Sequence, residues 1–387
     1  MRRGAVGLLI GLVVGVVVGA TVVAPRNQAY RSPETRPPEP VAAKPEPRPQ
    51  PPRPEEPPPP PKADAVEWRL ASAYAAGVPQ LGPLARRLED NLWRLSEGGI
   101  RIKAYDPGTL VPSEEIFDAV SAGAVDAVFA SPLQWTARLP GLAILGGLPF
   151  GPEAPELLAW YEFGGGKELH REAYGKHNLM ALPCGITGPE GGTWTRRPVK
   201  GMADLQGLRL AATGLPARVL SRVGADPRPL GGAEIFVALD AKEIDGVAFS
   251  TPAIDATLGF HKHLRHYYFP AWHRPAGFHD LVINLDRWKE LSPNRRRQVE
   301  TACGDNLRLG LAEGEAIQFE ALKTIQGRNV RLHQWPKEIM AALRKARDKV
   351  VAEERGADPL FHKVWQSLSE FRENHAIWRE IGHPPEE

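Results

Sequence analysis

Two stretches of this chain, Phe117 to Phe129 and Phe236 to Ala248, carry one pattern without a gap. The first reads FDAVSAGAVDAVF and the second FVALDAKEIDGVA, so Phe, Ala, an aliphatic residue, Asp, a small residue and Val recur at the same places. Each copy ends an amphipathic helix, turns, and enters an Asp-led apolar run of the kind a buried strand uses. A helix feeding a buried strand is half of a βαβ unit. Two such units predict two similar α/β lobes, and two lobes enclose a cleft. In open α/β sheets ligands bind beyond the carboxyl ends of the strands. Here those ends are Ala130 to Trp135 and Phe249 to Pro252.

The amino end is of a different kind. Met1-Arg2-Arg3 precedes an uncharged stretch from Gly4 to Pro25, and a run of about 20 apolar residues spans a bilayer. Val22-x-Ala24 followed by Pro25 is a poor cleavage site, which favours an uncleaved anchor over a removed signal. Arg2 and Arg3 stay on the cytoplasmic side and send the rest across the inner membrane. Gly7, Gly11, Gly15 and Gly19 line one helix face, where close backbone approach lets a membrane helix pack on itself or on another membrane protein. Many of the 39 prolines crowd between Pro25 and Pro61. A stretch of this composition buries no core, stays disordered and favours polyproline II, with a reach on the order of 100 Å. The expected organisation is an anchor over 1–25, a proline-rich linker over 26–65, and a globular body from residue 66.

Within the body, strands are expected at Glu67–Ala71, Ile100–Tyr105, Val125–Ala130, Arg209–Ala212, Val247–Ser250, Leu281–Leu285 and Val330–Leu332. Helices are expected over Leu81–Leu95, Pro112–Ala122, Ala154–Tyr174 with a break at Gly164-Gly165-Gly166, Pro293 to about Gly327, and twice more to the carboxyl end. This alternation predicts a largely parallel α/β core. The first lobe is expected over 66–190 with part of 277–325, the second over 191–276, and a strand return with helices packing on both lobes over 277–387.

A net charge of +2 gives no support for nucleic-acid binding. The two cysteines make no disulfide scaffold, and Cys184 in the apolar run Met180–Cys184 favours a small buried hydrophobe over a pair with Cys303. His261, His263, His266, His273 and His279 have no cysteine or paired carboxylate at ligand spacing, so a solvated basic segment is expected and no metal site. Arg295-Arg296-Arg297 suits a solvated helix face. No nucleophile elbow and no phosphate or dinucleotide glycine loop occurs in context, so neither catalysis nor a cofactor is expected.

Several motifs then add up. They are Leu148-Pro149-Phe150-Gly151, Trp160-Tyr161 with Gly164-Gly165-Gly166 and Glu168-Leu169, and Gly185-x-Thr187-Gly188 with Gly192-x-Trp194. Further on stand Asp204-Leu205-x-Gly207-Leu208-x-Leu210 with Gly214-Leu215, Gly232-x-Glu234-Ile235-x-x-Ala238-Leu239, Ile244-Asp245-Gly246, and Tyr267-Tyr268-x-Pro270-x-Trp272. In this order and spacing the chain resembles the solute-binding proteins of tripartite ATP-independent periplasmic (TRAP) transporters, above all their 2-oxoacid-binding branch. The resemblance implies a two-lobed periplasmic-binding-protein fold that closes on a small organic acid and delivers it to a membrane permease driven by an ion gradient.

The departures are as informative. The resemblance implies an arginine that grips the ligand carboxylate at the position of Ala211, with Arg209 two residues earlier and about 7 Å further along the strand. It implies an acidic cation ligand at Ala248, a glutamine of the same cation site near Glu190, an asparagine at Ile186, and tyrosines at Leu133 and Gln134. Each charge-assisted hydrogen bond so lost removes roughly 1.5–3 kcal/mol. The residues expected around the ligand are Gln134, Trp135, Glu190, Trp194, Thr213, Phe249, Ser250 and Trp272, beside His273 and Arg274. That set has aromatic walls and few polar groups, which suits a neutral or mainly apolar small molecule better than an organic acid. The second reading is an accessory subunit of an inner-membrane complex that keeps the fold without binding a solute.

Overall fold

The computed structural model describes residues 58–382. The expected anchor over 1–25, its glycines Gly7, Gly11, Gly15 and Gly19, and all but the end of the proline-rich linker lie outside the described residues. Among the described residues no helix is long and apolar enough to cross a membrane.

The body holds two sheets. The first is ordered β2-β1-β3-β10-β4, from β1 (Val66–Ser72), β2 (Ile100–Tyr105), β3 (Ala127–Ala130), β4 (Leu179–Thr187) and β10 (Gly277–Asn284). The second is ordered β7-β6-β8-β5-β9-β11, from β5 (Thr193–Thr195), β6 (Arg209–Ala211), β7 (Asp226–Arg228), β8 (Gly246–Ala248), β9 (His266–Phe269) and β11 (Arg331–Gln334). Both repeat copies occupy the same place in their sheets, with β3 beside β1 and β8 beside β6, each pair parallel.

The equivalence extends to single bonds. Helix α2 (Ile116–Ser121) closes with Ala122 N–H donating to the Asp118 carbonyl and Ala124 N–H to Ala119. Counting helices from α1 (Leu81–Leu95), the sister helix is α7 (Gly232–Asp240). It closes with Ala241 N–H donating to Val237 and Glu243 N–H to Ala238. Gly123 and Lys242, at matching turn positions, both have positive φ, 77° and 56°. Asp126 then accepts from the backbone N–H of Arg69 at 2.9 Å and from its Nε at 3.3 Å. Asp245 accepts from the backbone N–H of Arg209 at 3.2 Å and from its Nε at 2.9 Å. The repeated aspartate thus latches each Asp-led strand to an arginine of its neighbour.

The core is not uniformly parallel. β10 runs antiparallel to β3 and β4, and β5 antiparallel to β8 and β9. The chain passes to the second lobe through 188–192 and returns through 270–276. A strand entering a sheet from the cleft side starts at the carboxyl ends of its neighbours, so it must run against them. The expected strand at Leu281–Leu285 is this returning strand; it stops at Asn284, whose side chain accepts from the N–H groups of Asp286 and Arg287 and caps the next helix. β4 is buried over its whole length, and such a run lacks the alternation that marks a strand.

Each sheet is packed on both faces. In the first lobe, Ala127 and Phe129 meet Leu84, Leu88 and Leu92 of α1 and Val299 of the long helix α10 (Pro293–Gly327), while Val128 and Ala130 face the other core. α10 packs on β4 and α1 in the first lobe and on α8 (Pro252–Leu258) in the second. Of the two last helices, α11 (Lys337–Ala357) lies on α6 (Gly214–Arg222) of the second lobe. α12 (Pro359–Ile381) lies on α5 (Gly166–Gly175) of the first. Cys184 of β4 and Cys303 of α10 form a disulfide, Cα to Cα 4.2 Å, against the sequence preference for a free buried thiol. The contact between β4 and α10 brings together residues that local sequence cannot relate.

Candidate functional site

The parallel strands of both sheets end toward a shared cleft, and the turns beyond those strand ends supply its walls. The cavity between the lobes has a volume of about 720 Å³. Leu133 and Ala143 face it from the first lobe, Ala212, Thr213 and Leu215 from the second, and Phe249 comes directly after β8. Its polar floor comes from the two crossing segments, which meet where Glu190 N–H donates to the Arg274 carbonyl at 3.1 Å. The Arg274 guanidinium donates to Glu190 Oε1 at 2.6 Å. His273 is buried beside them, its Nε2 3.2 Å from Glu190 Oε2 but outside hydrogen-bond geometry, and neither ring nitrogen has a partner.

Two glycines make this floor possible. Gly147 has φ 136°, and a Cβ there would lie 2.4 Å from Arg274 Cγ, so the arginine stem rests directly on bare backbone. A Cβ on Gly192 would lie 1.1 Å from the Tyr268 carbonyl oxygen, which lets the crossing segment run against β9.

Of the residues singled out in the sequence, Glu190, Thr213 and Phe249 line the cavity. Gln134 is exposed on the turn after β3, and Ser250 is half-buried with its carbonyl accepting from Gly191 N–H at 2.7 Å. The tryptophans turn inward. Trp135 packs on Phe117 and Tyr174, Trp194 stacks on Tyr267 with ring centroids 4.0 Å apart, and Trp272 packs on Phe150. The expected aromatic wall therefore reduces to Phe249, because each indole has an apolar core within reach.

Arg209 does not stand in for an arginine at Ala211. Its guanidinium is held by both oxygens of Asp245 at the amino end of β6. Ala211 is buried in the second lobe's core, Ile186 in the first lobe's, and Ala248 lines the cavity. The histidines do not converge either. His266 pairs with His333 at 2.8 Å, and His279 sits in the first lobe with its Nδ1 2.7 Å from the Tyr74 hydroxyl. His266, His273 and His279 are buried, not solvated. Of the three arginines at the head of α10, Arg297 is exposed and pairs with Glu300, while Arg295 reaches back to Asp64.

Sequence reasoning missed Tyr74, and took His279 only as part of a solvated basic segment. Tyr74 lies just past β1, and that position at a strand's carboxyl end was the available signal. Burial, then the nearby Arg274 charge, pushes His279 down to about 3, so it is a neutral ring under the cleft. In the second lobe, Asp255 accepts from Trp194 Nε1 at 2.8 Å and from the Tyr267 hydroxyl at 2.9 Å. Burial raises it to about 7 in spite of those two donors.

Residues 71–356 match the family described as bacterial extracellular solute-binding protein, family 7. The chain belongs to this family. It is a TRAP-type periplasmic solute-binding protein, and the members of this family are receptors that work with a membrane permease, not enzymes. The monocarboxylate 2-oxoacid-binding periplasmic protein of Nostoc sp. is 30% identical over 318 residues, 82% of this chain and 86% of that one. A TRAP solute-binding protein of Bordetella bronchiseptica has 30% identity and a TM-score of 0.78, covering 82% of this chain and 94% of its own. It is a mixed-occupancy dimer, with copurified calcium and picolinate in one active site against an apo site. A TRAP periplasmic solute-binding protein from Pseudoalteromonas atlantica holds sodium and pyruvate; it is 26% identical with a TM-score of 0.77, covering 82% of this chain and 97% of its own.

Proposed function

We propose that this TRAP receptor takes an uncharged or mainly apolar solute in place of a 2-oxoacid, and hands it to its permease from a tether in the inner membrane. One observation carries the specificity. Both arginines that line the cavity are already paired with carboxylates, Arg274 with Glu190 and Arg218 with Glu354. A carboxylate moved from water into a closing cleft loses much of its hydration, and needs an uncommitted positive charge to offset the loss. The remaining walls are mostly apolar, with Thr136, Thr213 and His273 as their polar groups, which favours a ligand of like character. We assign direct contact with the solute to Thr213 and Phe249, a role through Arg274 to Glu190, with Gln134 and Ser250 at the margin, and a supporting role to Trp135, Trp194 and Trp272. The lobe limits proposed from the sequence, 66–190 with part of 277–325 and 191–276, go with this assignment.

The relatives that hold calcium or sodium raise the question of a metal here. The donors do not fit one. Glu190 is committed to Arg274, Ala248 offers no side-chain oxygen, and among the described residues no three His, Cys, Asp or Glu side chains are placed to hold an ion.

The specificity is tested by thermal shift against a panel of neutral metabolites and small organic acids. A neutral ligand at a hundred times its Kd stabilises the native protein by about 2.7 kcal/mol. Micromolar binding of pyruvate would overturn the reading. The tether rests on the apolar stretch over 1–25 and its four-residue glycine ladder. Cell fractionation should place the full chain in the membrane pellet, released by detergent and not by salt; a chain released freely with the periplasmic contents would refute it. The accessory-subunit reading gains nothing from the fold or the relatives.

A further inference from the structure

The misfit with a metal has a specific chemical form. We propose that the Glu190–Arg274 pair is a built-in substitute for an inorganic cation, so that the cleft binds its solute without metal, through the free edge of Arg274, and selects an uncharged ligand with an acceptor oxygen such as an amide, lactam or ketone. This rests on the reading of the cleft as the solute site.

The guanidinium is fixed from two sides. Its stem lies on Gly147, where any side chain would collide with it, and one terminal nitrogen is bonded to Glu190. Glu190 is sealed beneath, with 2% of its side chain exposed against 19% for Arg274, so a ligand meets the arginine and not the carboxylate. A guanidinium carries five N–H donors in a planar fork, and Glu190 takes one edge. Its Nε lies against Gly147, and the residue borders a cavity whose other lining residues are mostly apolar. His273 adds the second polar feature. It is 4% exposed and lines the same cavity; its Nε2 lies 3.2 Å from Glu190 Oε2, and its Nδ1 has no hydrogen-bond partner, so one ring nitrogen stands open next to Arg274.

The charge count then sets the preference. The pair is neutral as a unit. A ligand carbonyl accepts from Arg274 without adding charge. A ligand carboxylate brings a second anion to the same guanidinium, within a few ångströms of Glu190, where like charges oppose each other. Neutralising Glu190 leaves Arg274 as an uncompensated cation, and should open the cleft to acids.

The test uses 4-methyl-2-oxopentanoate and its uncharged primary amide as matched probes, titrated calorimetrically into the wild-type protein and Glu190→Gln, with and without a chelator. The wild type should favour the amide. Glu190→Gln, nearly the same in shape, should shift the acid-to-amide affinity ratio toward the acid by about tenfold or more. The chelator should change neither. A ratio that stays within about twofold in a folded Glu190→Gln protein overturns the ion-pair assignment, and amide binding by the wild type would then leave the neutral-solute reading standing. Binding of neither probe to either folded protein removes both. The wild type alone carries a second test, because acid binding that disappears with the chelator overturns the assignment whether or not the variant folds.

Discussion

His279 and Asp255 are both buried near the cleft, one in each lobe, and pH acts on them with opposite signs. His279 falls from 6.5 in the free side chain to about 3. Between those values the unfolded chain holds a proton that the native protein refuses, so stability is full above 6.5 and drains as pH falls toward 3. Asp255 rises from 3.8 to about 7. Between those values the native protein keeps a proton that the unfolded chain has released, so stability drains as pH rises toward 7. Each slope is roughly 1 kcal/mol per pH unit, so in the wild type the two offset each other between about 4 and 6.5, and urea denaturation separates them in the single variants. His279→Gln should unmask the Asp255 slope and lose stability as pH rises from about 4 to 7. Asp255→Asn should gain on the wild type from pH 4 to 7 and hold a constant advantage above it. Neither residue was legible as a titrating group in the sequence, since burial, not neighbours in the chain, moves both.

At the level of elements, the repeat was readable because it is a run of local interactions. Helix end, turn and Asp-led strand are contiguous, and the same bonds recur in each copy. What the sequence did not show is the arginine each aspartate holds, since Arg69 and Arg209 lie in neighbouring strands. Asp126 is buried and Asp245 is not, so the two latches should differ in strength. Asp126→Ala should cost about 1–3 kcal/mol, leaving the Arg69 N–H unpaired, and Asp245→Ala no more than about 1 kcal/mol. Chemical denaturation of both variants checks the order. Lys242 holds the left-handed turn that Gly123 holds in the sister copy. A side chain there strains the backbone, so Lys242→Gly should stabilise by about 0.5–1 kcal/mol in the same measurement. The three-residue strands β5 and β7 went unread, being too short to show a period.

The whole molecule is held by contacts that join distant parts of the chain. The disulfide closes a loop between residues 119 apart and ties the first sheet to the helix that spans both lobes. In a periplasmic protein it is stable to the surroundings. Replacing both cysteines by serine should lower stability by about 2–4 kcal/mol, measured by the urea midpoint under oxidising conditions. The two lobes, their α/β character and the place of the cleft were all legible in the chain. They depend on hydrophobic periodicity and on strand ends, and both are properties of short segments. The contents of the cleft were settled in three dimensions. Folding turned three tryptophans into the cores, tied Arg209 to Asp245, and set Arg274 against Glu190. A side chain's charge and size are written in the chain, but its partner is chosen by whichever groups the fold brings within a few ångströms, and those come from segments far apart in sequence.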